Sequence, residues 1–211
     1  MDRKEHWDKI YKARGETGVS WYQPRAELSL QLISRLAPDR ATPIIDVGAG
    51  ASTLVDGLLD EGYEALTVLE LAPQAVALAQ QRLGERARRV QWMNADVLDV
   101  PLPEAAWSVW HDRAVFHFLT DPADRERYVA QVRRAVRPGG WVLVAAFGPD
   151  GPVKCSGLDV VRYGPEALHD EFGRDFALTQ SVGEEHHTPT GAVQSFVYCL
   201  CRFGEPERAG R

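Results

Sequence analysis

The 211-residue sequence predicts an α/β fold: a doubly wound sheet, mostly parallel, with its last strand antiparallel. Three observations carry this expectation. From residue 43 onward, short apolar runs alternate with segments of helical period. The first of these runs ends in a glycine-rich turn. The last two runs, 176–184 and 192–203, are separated by only a short connection, which suits an antiparallel pair.

In order along the chain, residues 3–14 place Trp7, Ile10 and Tyr11 at near-helical spacing and predict a short amphipathic helix. A loop with Gly15 and Gly18 follows. Pro24 suits a first helical position, Leu28, Leu32, Ile33 and Leu36 line one face, and Pro38 ends the segment. The run PIIDVG (43–48) reads as a strand; Leu54, Val55, Leu58 and Leu59 form a helix closed by Gly62. Residues 64–70 are a second strand, and Pro73 opens a helix closed by Gly84. Residues 88–93 and 106–111 are the third and fourth strands. A helix at 123–137 precedes Pro138-Gly139-Gly140, which turns into a strand at 141–147. A short helix is expected at 165–173, with His186–Gly191 as the connection between the final two strands. At about 150 residues per domain the length allows one to one and a half domains. The pattern favours one: an N-terminal helical lid over 1–39, a sheet domain over 40–203 and a loose tail over 204–211.

Composition narrows the function. With 45% hydrophobic and 26% charged residues the chain is globular in character. Its 24 Lys+Arg against 30 Asp+Glu give a net charge of −6, the wrong sign for gripping a nucleic-acid backbone. Cys155, Cys199 and Cys201 form neither a disulfide framework nor a four-ligand metal site, so no metal is expected. Cys199 and Cys201 fall on one side of a strand and read as core. The charged N-terminus is no signal peptide, and no run reaches 18 apolar residues, so the expectation is a cytoplasmic protein without membrane contact, a monomer or homodimer.

Chemistry concentrates at the strand ends. Asp46-x-Gly48-x-Gly50 lies between a strand and a helix, where glycine lets the backbone turn sharply and approach a ligand. Glu70 ends the second strand, 20 positions after Gly50, and suits ribose hydroxyls. Asp96 follows the third strand and Asp112 ends the fourth. A dinucleotide fingerprint would need a third glycine at 53, where this chain has Thr53, and Asp46 suits an ammonium group better than a pyrophosphate. No Gly-Lys-Ser/Thr follows, which excludes a P-loop.

These residues resemble the class I S-adenosylmethionine-dependent methyltransferases. The stretches that carry the resemblance are IIDVGAG (44–50), VLELAP (68–73), NADVLDVPLP (94–103) and RRAVRPGGWVLVAAF (133–147). It implies a Rossmann-like seven-stranded sheet and S-adenosylmethionine as cofactor. By position, Gly48 and Gly50 pass beside the methionine part with Asp46 near its ammonium. Glu70, with Leu71 beside it, holds the ribose hydroxyls. Asp96 meets the adenine amino group with Val97 beside the ring, and Asp112, or a backbone group near it, helps hold the methionine moiety. Ser52 stands where the family often has a third glycine.

A sulfonium methyl group is already activated, so the site must mainly hold a nucleophile in line and exclude water. The loops after the fourth, fifth and sixth strands would share one edge with the cofactor. They offer Arg113 and His117, Arg162, and His186 and His187. Trp21 and Tyr22 come from the N-terminal segment. Substrate contacts are therefore expected from Trp21, Tyr22, Arg113, His117, Arg162 and His186. His117, His186 and His187 are the candidates for a proton-transfer role, with core packing or a solvated hairpin tip as the alternatives. The fourth strand runs into His111-Asp112-Arg113-Ala114 rather than Asn/Asp-Pro-Pro-aromatic, which departs from enzymes that methylate DNA-base or glutamine amino groups. The expected function is methyl transfer to a small molecule. Transfer to a protein lysine, or a nonenzymatic cofactor-binding role on the same fold, are the alternatives.

Overall fold

A computed structural model describes residues 2–204. All of the expected tail except Gly204 lies outside the described residues. The strands are β1 (Ile44–Val47), β2 (Leu66–Glu70), β3 (Val90–Asn94), β4 (Trp107–Arg113), β5 (Val136–Phe147), a short ribbon β6 (Lys154–Cys155) with β7 (Leu158–Asp159), β8 (Phe176–His187) and β9 (Val193–Phe203). The helices are α1 (Arg3–Arg14), α2 (Glu27–Leu36), α3 (Leu54–Asp60), α4 (Pro73–Leu83), α5 (Pro122–Ala135) and α6 (Pro165–Phe172). Seven strands form one sheet in the order β3-β2-β1-β4-β5-β9-β8. β1 and β3 pair with β2 in parallel, β4 pairs with β5 in parallel, and the last strand, β9, runs antiparallel to β5. This is the doubly wound, Rossmann-like arrangement expected from the sequence. No helix among the described residues is long and apolar enough to cross a membrane.

Two compact units make up the described chain, residues 2–100 with 187–192 and residues 101–186 with 193–204. In the first, every residue of β1 and β2 is buried, as suits strands covered on both faces. α1 is capped at its start by Asp2, whose carboxylate accepts from Lys4 N at 2.9 Å. It lies in this unit against a small core of Tyr11, Val19, Ala51, Ala72 and Ala75, with Trp7 and Trp21 at its margin. In the second unit, Phe116, Tyr128, Phe172 and Phe176 build an aromatic core of edge-on and tilted rings. Cys199 and Cys201 are buried on one side of β9, opposite Val144 and Val142 of β5.

Several boundaries differ from the sequence reading. α2 begins at Glu27 rather than at Pro24, because Ala26 keeps a non-helical backbone (ψ 63°). A 3-10 turn at Gly84–Arg89 delays β3 to Val90. The expected helix at 123–137 ends at Ala135, as Pro138 disfavours helical backbone before it. Val136–Gly140 instead joins β5, with a register shift in its pairing to β4 between Trp107 and Val109. His186 and His187 are not in a loop: β8 extends through both, and the turn is Thr188–Ala192, closed by Thr188 N donating to Ala192 O at 2.8 Å.

Candidate active site

The first unit carries the glycine turn. Gly48 and Gly50 sit at φ 59° and 58°, in the left-handed region that favours glycine. A β-carbon on Gly50 would also collide with the Tyr11 hydroxyl. Glu70 ends β2 with 6% of its surface exposed. Its two oxygens bridge the backbone, accepting from Gly50 N at 2.8 Å and Ala72 N at 2.7 Å. Burial raises its carboxyl above the usual range, opposed by these two donors and assisted by the nearby charge of Asp46. Asp46, on β1, is also buried. Leu71 follows Glu70 half-buried; its carbonyl, like that of Glu70, accepts from the Asn94 amide, at 3.1 and 2.7 Å. Asp96 is half-buried after β3 and accepts from Leu98 N at 2.9 Å, which orders the turn holding buried Val97.

The N-terminal segment folds against this turn. Trp21 Nε1 donates to the Tyr11 hydroxyl at 3.2 Å, and Trp21 stands edge-on to Trp7 with ring centroids 5.7 Å apart. Asp8 accepts from Gln74 N at 2.9 Å, capping α4 from outside its own sequence. Trp21 and Tyr22 are half-buried and pack against the glycine turn's unit.

The second unit holds the remaining candidates. Asp112 is fully buried and accepts from Val115 N at 2.8 Å, Phe116 N at 3.1 Å and the Tyr128 hydroxyl at 2.5 Å. Its carboxylate is committed to shaping the loop after β4, where Ala114 takes a strained φ of 76°. Arg113 is among the residues expected to contact substrate; its guanidinium donates to the Tyr198 hydroxyl at 2.9 Å and pairs with Glu184 at 3.1 Å, while stacking 4.2 Å over the Phe196 ring. The Glu184 carboxylate neutralises it. Arg162 is exposed and donates to the carbonyls of Pro149 and Gly151, stapling its own loop.

His117 is fully buried between Phe118 and Phe147, and its Nδ1 accepts from Phe147 N at 3.3 Å. Burial, then the Arg113 charge, push it down to about 3, so it stays neutral and is a poor general base. His186 is buried edge-on to Phe196, and His187 is exposed at the end of β8. Tyr128, Tyr198 and Glu184 were not singled out from the sequence. Each partner lies 14 or more positions away along the chain and no local motif marks it.

This donor set fits an adenosyl amino-acid cofactor. Buried carboxylates flank a turn with no side chain at Gly48 and Gly50, and a half-buried carboxylate follows the next strand. Comparison with known proteins agrees. Residues 44–140 match the family model for a methyltransferase domain. An eEF1A lysine and N-terminal methyltransferase of Mus musculus is 26% identical over 145 residues, 66% of this chain and 20% of that relative. A malonyl-[acyl-carrier protein] O-methyltransferase of Paenibacillus sp. (strain JDR-2) is 28% identical over 131 residues, 59% of this chain and 46% of that relative. A structure solved for the conversion of a disulfide bond into a thioacetal group during echinomycin biosynthesis superposes with a TM-score of 0.76 at 18% identity, covering 95% of this chain and 92% of that one. The chain spans 20 to 28% of the length of the first four curated relatives it matches.

The fold is a Rossmann-like α/β arrangement with glycines and carboxylates gathered at its strand ends. The matched residues 44–140 are similar to the class I S-adenosylmethionine-dependent methyltransferases.

Proposed function

We propose that this chain transfers a methyl group from S-adenosylmethionine to a nucleophilic atom of a small molecule. The observation that carries the reading is the bridge from Gly50 N through the Glu70 carboxylate to Ala72 N, which fixes a buried carboxylate beside the glycine turn. In this reading Glu70 holds the ribose hydroxyls, Asp46 lies near the ammonium group, Gly48 and Gly50 pass beside the methionine part, and Asp96 with Val97 meets the adenine. The bound cofactor supplies an activated methyl group on a sulfonium sulfur.

The residues of the chain then position and desolvate. His117, neutral and packed, is not asked to move a proton. A thiolate or neutral amine acceptor needs no base, so the chemistry is in-line displacement governed by proximity. Residues 1–39 serve as a lid over the 40–203 domain. The negative balance argues against nucleic acid, and three free cysteines suit a reducing, cytoplasmic setting. The similarity to a malonyl-[acyl-carrier protein] O-methyltransferase supports transfer to an oxygen of a small acyl group. A second reading, transfer to a protein lysine, is favoured by the similarity to the eEF1A lysine and N-terminal methyltransferase.

Incubation with cofactor labelled on its methyl group separates the two. A panel of thiols, amines, phenols and small acids is run beside purified eEF1A. Label on a small molecule and none on the protein is the expected result; label confined to a lysine of the protein would replace this reading with the second.

A further inference from the structure

The glycine turn is gripped from two directions. Glu70 accepts from Gly50 N, while Arg82, on α4, donates to the next two carbonyls: Nη1 to Ala51 O at 2.8 Å and Nη2 to Ser52 O at 2.7 Å. The same guanidinium lies against both carboxylate oxygens of Asp56 on α3, at 2.7 to 3.2 Å. Its Nη1 also pairs with Glu16 at 2.6 Å. Glu16 belongs to the N-terminal segment, 66 positions away in sequence. One planar fork therefore holds two turn carbonyls, a helix and the N-terminal segment, an arrangement that a lysine ammonium cannot reproduce. The segment touches the turn elsewhere too: the Thr53 hydroxyl donates to Gln23 O at 3.1 Å, and Tyr11 abuts Gly50.

We infer that Arg82 and Glu16 are positioning residues for the cofactor, through which the N-terminal segment sets the conformation of the Gly48–Thr53 turn. The inference rests on the reading of that turn as the S-adenosylmethionine site. Neither side chain need touch the ligand. Glu16 orients and neutralises the guanidinium, and the guanidinium holds the Ala51 and Ser52 carbonyls so that the Gly50 peptide meets Glu70. Releasing Glu16 frees Arg82 to turn toward Asp56 alone, and the turn samples conformations that do not bind; affinity then falls by the fraction of competent molecules.

The test is calorimetric titration with S-adenosylhomocysteine of the wild type, Glu16→Gln, Arg82→Met, Arg82→Lys and the Glu16→Gln/Arg82→Met double variant, with ligand-free melting temperatures alongside. Glu16→Gln is expected to weaken binding about tenfold while its melting temperature moves by no more than a few degrees. Arg82→Lys should not rescue Arg82→Met, and Glu16→Gln should add nothing in the Arg82→Met background, because its effect runs through the guanidinium. Glu16→Gln binding as tightly as wild type, or additive losses in the double variant, would overturn the inference. Should Arg82→Met not fold, the Glu16→Gln affinity decides alone. A wild type that does not bind would overturn the cofactor reading and this inference with it, whereas wild-type binding with an unchanged Glu16→Gln overturns the inference only.

Discussion

The Tyr128 hydroxyl donates to the carboxylate of Asp112 at 2.5 Å, and Trp110 Nε1 donates to the same hydroxyl at 2.9 Å. The chain of donors ends on a carboxylate with no exposed surface. Burial pushes the Asp112 carboxyl up to about 6 from its ordinary 3.8, against the lowering effect of Tyr128 and of the backbone donors.

A folded-state value above the unfolded one means that the native protein holds this proton more tightly between about pH 4 and 6. The resulting stability is fully present below the unfolded value and is lost as pH rises through 6. Wild type should therefore lose about 2 kcal/mol more than Asp112→Asn between pH 4 and 7. Urea denaturation of both at the two pH values measures this; parallel losses would show that Asp112 is not perturbed.

His117 acts in the opposite sense. Its folded value, about 3, lies below the ordinary 6.5, so its contribution is present above 6.5 and falls away as pH drops. The loss approaches about 1.4 kcal/mol per pH unit within that window. His117→Asn, which keeps an acceptor for Phe147 N, should remove this dependence. Imidazole resonances titrated by NMR provide the check: a His117 signal that moves near pH 6.5 contradicts the burial account and restores the residue as a general-base candidate.

Arg113 and Glu184 have side chains only 9% and 14% exposed. Glu184→Ala leaves a guanidinium buried without its counter-charge and should cost about 3–5 kcal/mol. Adding Arg113→Met should recover part of that loss, which chemical denaturation of the single and double variants will show. A double variant weaker than Glu184→Ala by the full cost of a second mutation would mean that the pair is not coupled.

The glycine turn, Glu70 and Asp96 were legible in the sequence because strand ends, glycine spacing and acidic residues at those ends are local signals. The sheet was legible because its strands and helices alternate with distinct periods. The candidate residues of the second unit were less so. Arg113 reads as a free cation until Glu184 and Tyr198, 71 and 85 positions later, are seen beside it. His117, flanked by two phenylalanines, reads equally as core or catalyst; only its depth and the Phe147 N–H decide its state. Likewise, no spacing announces that Arg82 reaches both Glu16 and the glycine turn. His186 and His187 were read as loop residues because Pro189 and Gly191 mark a turn, but the strand runs on to His187 before that turn closes.

The central claim is that Glu70, bridging Gly50 and Ala72, builds the S-adenosylmethionine site. Calorimetric titration of S-adenosylhomocysteine into wild type and Glu70→Gln tests it most directly. An amide offers one acceptor oxygen where two backbone donors need one each, so Glu70→Gln should bind at least about tenfold more weakly, or not at all, beside a wild type that binds one molecule per chain. Equal affinity in the two proteins, or a wild type that binds NAD in place of S-adenosylhomocysteine, would contradict it.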